Sequence, residues 1–201
     1  YDFSNVNNTY FLNSEFTDIQ KEGIDSTLRA VNEYYNSILN RKDQTSLFLA
    51  NIFKIGPEDQ YEPEWALAEY PAIVAELDKL PNKLNNKTGF IEDSETFKIY
   101  AHEMAHKYWG IEVKANNDFW GFYSESFAEY FGLLAMQEIL GKEKYKKFVT
   151  EKYLTDRAMK FNVTQLTDVE KPLNVYYCYN YYSMVLLGLE QVVGKKKVIK
   201  F

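Results

Sequence analysis

The sequence predicts an α+β protein. A mixed α/β lobe with a small sheet is expected over residues 1–92 and an all-helical lobe over 93–201, facing each other across a cleft in one compact domain. Three observations carry this. Short apolar and aromatic runs bounded by Asn, Gly and Pro are confined to the first part of the chain. Helical spacing of apolar residues takes over from Asp93. The 201 residues, 46% of them hydrophobic, are enough for one substantial core.

Residues 1–14 alternate turn formers (Asn5, Asn7, Asn8, Asn13) with aromatic stretches and predict a strand or two. Over residues 15–39, Ile19, Ile24, Leu28, Val31, Tyr35 and Leu39 recur at helical spacing between charged residues. Ser46 to Phe53 reads as a buried strand, and residues 55–64 as a loop. Trp65 to Leu77 contains Pro71, which suits an edge strand or its end. Residues 78–91 carry Pro81, Gly89 and a run of Asn and Lys, the chemistry of a loop. Asp93 or Ser94 is the expected N-cap of a helix running to about Trp109 and stopping at Gly110. Further helices are expected over 123–140, 142–160 and 175–193, with Gly141 and Gly194 as stops.

Composition excludes several classes. Aromatic residues make up 17% of the chain, too many for a disordered sequence. The formal net charge of −6 lacks the basic footprint of a nucleic-acid partner. The single Cys178 rules out an intrachain disulfide framework or a multi-Cys metal cluster. The longest apolar runs, 131–136 and 184–189, are far short of a membrane span, so no membrane segment is expected. The chain opens Tyr-Asp-Phe-Ser, without Met or the regions of a signal peptide, and is expected to be a piece of a longer protein.

The strongest chemical signal is Ala101-His102-Glu103-Met104-Ala105-His106. The chain's 2 histidines stand four apart, with Glu directly after the first. On a helix, residues i and i+4 share one face, so both imidazoles can hold one zinc ion. Glu103 stands about 100° round the helix from His102. There it can take a proton from water at the metal without ligating it. A catalytic zinc needs a third protein ligand, and no other His exists. Glu125 stands 18 residues beyond His106, at the start of the next expected helix. An antiparallel return brings that first turn back to the metal. Glu129 lies one turn further on the same face. It is read either as a solvated helix charge or as the acceptor for the N–H of His102 or His106.

These residues resemble a known group. The H-E-x-x-H at 102–106, the 18-residue gap and Glu125 are similar to the gluzincin pattern of the aminopeptidase N family. The family's aromatic pair and Gly after the second His appear as Tyr108-Trp109-Gly110, and its Glu-Gly-Phe-Ala as Glu125-Ser126-Phe127-Ala128. The resemblance covers roughly residues 15–194. It implies a thermolysin-like two-lobed catalytic domain, without the family's N-terminal β-domain and C-terminal helical domain.

Upstream, Glu69-Tyr70-Pro71 resembles the family's exopeptidase strand. This implies that Glu69 holds the substrate's free α-amine. Downstream, the segment Tyr176 to Tyr182 precedes a helix like the one that follows the family's oxyanion-stabilising Tyr. Tyr179 matches that position, with Tyr177 as the alternative. Where the family places an acid seven positions after its zinc-ligating Glu, this chain has Gly132, and Glu129 would substitute.

The implied activity is zinc-dependent hydrolysis of a peptide substrate, as an aminopeptidase. Two alternatives stand beside it: a zinc endopeptidase, in which the region of Glu69 is a substrate-binding edge strand, and a non-catalytic domain that binds a peptide or partner while retaining the ligands.

Overall fold

A computed structural model describes residues 3–12, 15–42, 46–51, 66–69, 72–75, 77–112, 119–153 and 177–200. The fold is α+β, and the chain divides into two compact units, Tyr1–Met104 and Ala105–Phe201.

The first unit is built on a five-stranded sheet, formed by β1 (Phe3–Val6), β2 (Thr9–Leu12), β3 (Leu47–Asn51), β4 (Ala66–Glu69) and β5 (Ala72–Ala75) in the order β1-β2-β3-β5-β4. The three inner strands run parallel, and the edge strands β1 and β4 are antiparallel to their neighbours. β1 and β2 form a hairpin turned at Asn7, whose φ of 49° lies in the left-handed region Asn tolerates. The segment 65–77, where Pro71 suits an edge strand or its end, contributes two strands, with β4 at the edge. Glu69, its last residue, is in register with Ala72. Tyr70 and Pro71 lie outside the described residues.

Helix α1 (Asp18–Leu39) connects β2 to β3. A Thr17/Gln20 capping box starts it, with the Gln20 N–H on Thr17 Oγ1 at 3.3 Å and the Thr17 N–H on Gln20 Oε1 at 2.9 Å. Asn40, with φ 53°, ends it. Its apolar stripe of Ile24, Leu28, Val31 and Tyr35 is fully buried. Asp25, 0% exposed, accepts from Asn7 at 3.0 Å, Thr9 at 2.8 Å and Arg29 at 2.8 Å, and so ties the first hairpin to the helix.

Residues 78–91 differ in part from the loop expected there, because Leu77–Lys83 is a 3₁₀ helix. Leu77, Leu80 and Leu84 are all buried, a spacing of about three that suits a 3₁₀ turn, where i and i+3 stand in line. Proline chemistry masked that apolar pattern. The following turn places Gly89 against Gly23 of α1. A Cβ on Gly23 would lie 2.1 Å from the Gly89 carbonyl carbon, so the two backbones meet only because neither bears a side chain. Thr27 Oγ1 donates to Gly23 O at 2.8 Å and accepts the Ile91 N–H at 3.1 Å, fixing the path into the next helix.

That helix, α2 (Ser94–Ala105), is capped by Asp93, whose Oδ1 accepts the Thr96 N–H at 3.0 Å. Tyr35, buried in α1, donates its hydroxyl to Ala101 O at 2.8 Å, one residue before His102. The α-helix ends at Ala105, and residues 106–108 close it as a turn. The Ile111 N–H reaches back to His106 O at 3.1 Å over Gly110, whose φ is 117°, in the manner of a Schellman motif. The expected stop at Gly110 is therefore where the chain turns.

In the second unit, every regular element among the described residues is helical: α3 (Phe127–Ile139), α4 (Lys142–Lys152), α5 (Ser183–Val193) and the short α6 (Lys195–Ile199). Residues 127–136 of α3 are buried on all sides, marking it as the central helix. The expected helices over 123–140 and 175–193 both begin as π-helical turns, Phe122–Ser126 and Tyr177–Tyr182. Residues 154–160 of the expected third helix and 175–176 of the fourth lie outside the described residues. Among the described residues no helix is long and apolar enough to cross a membrane.

Candidate metal centre

His102 lies in the last turn of α2 and His106 in the turn that closes it, on one continuous stretch of chain. The helix is held tightly there, because Phe97, Tyr100, Ala101, Met104, Ala105 and Tyr108 are all buried. His102 is 3% exposed and Glu103 7%.

Glu125 is brought to His106 by aromatic packing. Trp109, just after the closing turn, stacks on Phe127 with centroids 4.6 Å apart at 29° and tilts against Phe131 at 5.5 Å. Phe122 meets Phe127 edge-on at 5.5 Å. Such pairs contribute about 0.5–1.5 kcal/mol each beyond the area they bury. They hold the turn bearing His106 against the π-helical turn bearing Glu125.

The result is a converging set of donors. His102, His106 and Glu125 each offer one ligand atom, and these atoms all lie within 4.8 Å of one another. His106 Nε2 and Glu125 Oε2 are 3.4 Å apart. Tetrahedral zinc with bonds of about 2.0–2.1 Å holds its ligand atoms about 3.3–3.4 Å apart. The other ring nitrogen assigns the tautomer. His106 Nδ1 lies 3.0 Å from Trp109 O, and a carbonyl oxygen can only accept, so Nδ1 carries the proton. Nε2 faces a carboxylate oxygen, and when it carries no proton its lone pair is free to ligate. With the ring neutral, both are acceptors at a spacing that suits a shared cation, and together with His102 they form a group that could hold a metal ion.

Ser124 was not among the residues the sequence singled out. Its Oγ lies 3.4 Å from His106 Nδ1 and 3.4 Å from Glu125 Oε1, contacts at the long limit of hydrogen bonding. Gly110 makes room for it, since a Cβ there would fall 2.6 Å from Ser124 Oγ and 3.3 Å from His106 Nδ1.

Glu129 is 1% exposed, which excludes a solvated helix charge. Its Oε1 accepts a short hydrogen bond from the hydroxyl of Tyr153, just past the end of α4. The signal available in the sequence was the apolar surround of Glu129, with Phe127, Ala128, Tyr130, Phe131, Leu133 and Leu134 on every side of the helix.

The tyrosine-rich turn lies alongside Glu125. The rings of Phe122 and Tyr182 meet at 5.5 Å, and a Cβ on Gly121 would come 3.0 Å from Cys178 Sγ. Burial first, and then the Glu125 charge, push the Cys178 thiol up to about 11. Tyr179 is half-buried within this turn, its carbonyl accepting from Ser183 Oγ at 2.7 Å. Tyr177, the alternative, is also half-buried, and its ring meets those of Tyr181 and Tyr182 at 6.3 and 6.5 Å. Tyr182 is buried, as expected of a core position. Glu69 ends an edge strand, and its side chain lies outside the described residues.

No protein-family model matches the chain, and no curated protein matches it.

Proposed function

We propose that this chain is a zinc-dependent peptide hydrolase, a gluzincin catalytic domain of thermolysin-like architecture that acts as an aminopeptidase. The observation that carries the reading is the convergence of His102, His106 and Glu125 within 4.8 Å, on a helix whose HExxH spacing includes a buried carboxylate beside the first His. When bound, zinc supplies Lewis acidity that polarises the scissile carbonyl and makes water acidic near pH 7.

The chain's own residues do the rest. Glu103 accepts the proton from the attacking water and returns it to the leaving amine. The Tyr179 hydroxyl donates to the oxyanion, stabilising charge as it develops. An extended peptide pairs its backbone with the edge strand β4, and Glu69 binds the free α-ammonium. Glu129, held by Tyr153, braces the helix turn that follows Glu125.

The test is zinc uptake by dialysed protein, followed by hydrolysis of paired peptides with free and N-acetylated termini. Cleavage of free termini alone supports the aminopeptidase. Cleavage of both supports an endopeptidase, which the edge position of β4 also accommodates. Zinc uptake with neither cleaved leaves a binding domain, and no uptake removes the metal reading.

A further inference from the structure

We propose that Ser124 is a positioning residue that sets two metal ligands at once, an inference that rests on the metal reading above. Its Oγ touches the outer atom of each ligand, His106 Nδ1 and Glu125 Oε1, both at 3.4 Å. The inner atoms of the same two groups, Nε2 and Oε2, face each other. The polarity of the chain of contacts follows from the chemistry. His106 Nδ1 carries a proton, shared between Trp109 O at 3.0 Å and Ser124 Oγ, so the hydroxyl accepts from the ring. Its own proton then goes to Glu125 Oε1, because a carboxylate can only accept.

One hydroxyl thus stops rotation of the imidazole and of the carboxylate from behind, keeping Nε2 and Oε2 aimed at the same point. Two features of the backbone serve this arrangement. Gly110, at a φ of 117°, leaves the space that a Cβ would take from Ser124 Oγ. The π-helical turn Phe122–Ser126 carries Ser124 and Glu125 as adjacent residues, so both side chains reach His106 from one short stretch.

Partners that hold a ligand from behind are worth about 10- to 100-fold in metal affinity. Zinc dissociation constants by competition with a chromogenic chelator, and the visible absorption of the cobalt(II)-loaded protein, read this directly. Ser124→Ala should weaken zinc binding by about 10- to 100-fold and alter the cobalt band, while the melting temperature of the metal-free protein stays at the wild-type value.

Ser124→Thr and Ser124→Val share one shape and differ only in the hydroxyl. Thr should restore the zinc affinity and cobalt spectrum, and Val should not. This pair decides the matter if the Ala variant folds poorly. Val equal to Thr, or Ala equal to wild type in both affinity and spectrum, overturns the role of Ser124. If wild-type protein binds neither zinc nor cobalt, the metal reading itself falls, a result separate from the first.

Discussion

Replacing Glu125 with Ala removes one of three ligands and should be legible in stability without any assay of turnover. Loss of a group that merely holds a ligand costs about 10- to 100-fold in affinity, so loss of the ligand itself should cost at least about 100-fold. A ligand that binds only the folded protein stabilises it by RT ln(1 + [L]/Kd). With free zinc at 100 times the wild-type dissociation constant, wild type gains about 2.7 kcal/mol. At the same concentration the variant, at its own Kd or above, gains about 0.4 kcal/mol or less.

For a chain of this size each kcal/mol moves the melting temperature by about 2–4 °C, so zinc should raise wild type roughly 5–9 °C further than the variant. Differential scanning fluorimetry with and without zinc, after chelator treatment and dialysis, measures this. His102→Ala and His106→Ala should behave like Glu125→Ala. A zinc-dependent rise in Glu125→Ala equal to that of wild type would refute the reasoning, because it would mean that the 3.4 Å approach of Oε2 to His106 Nε2 has nothing to do with an ion.

Four other expectations follow from the same residues. Glu103→Gln keeps the shape but cannot accept a proton, so it should bind zinc normally while kcat falls about 10²- to 10⁴-fold. Glu69→Ala should lower kcat/KM for free-amine peptides by roughly 10- to 150-fold, the equivalent of about 1.5–3 kcal/mol for a charge-assisted bond, without changing zinc content; an unchanged value would end the aminopeptidase assignment but not the hydrolase. The metal-free protein should lose stability as pH rises above about 9, because Cys178, raised from 9.0 to about 11, and Tyr145 and Tyr182, both raised by burial, hold their protons more tightly folded than unfolded; urea titrations on either side of pH 9 check the sign. Asp25→Ala should destabilise the first unit by about 1–3 kcal/mol, since it leaves the buried Thr9 hydroxyl without its acceptor while the half-exposed Arg29 turns to water; denaturant midpoints that match wild type would contradict it.

What the sequence determined by itself is local. The i, i+4 relation of His102 and His106 follows from the helical repeat alone, and so does the place of Glu103 beside them. Asp93 as N-cap, Gly110 as stop and the Thr17-x-x-Gln20 capping box are equally local. The alternation of small strands with α1 in the first unit followed from periodicity and turn residues.

What only the tertiary structure decided involves contacts between distant residues. Glu125 meets His106 because Trp109 packs on Phe127, and no periodicity encodes that stacking. The π-helical turns at 122–126 and 177–182 meet where Gly121 fits against Cys178 and Phe122 against Tyr182, contacts between residues far apart in sequence. Glu129 was ambiguous as a helix charge. It became a buried, Tyr153-bonded carboxylate because α3 is covered on every side by the rest of its unit. Ser124 gained its place behind two ligands only once Gly110 and the π-helical turn were set against each other. The difference is one of range: a helix repeat relates residues four apart through the backbone, whereas burial and ligand convergence are properties of surfaces that meet only on folding.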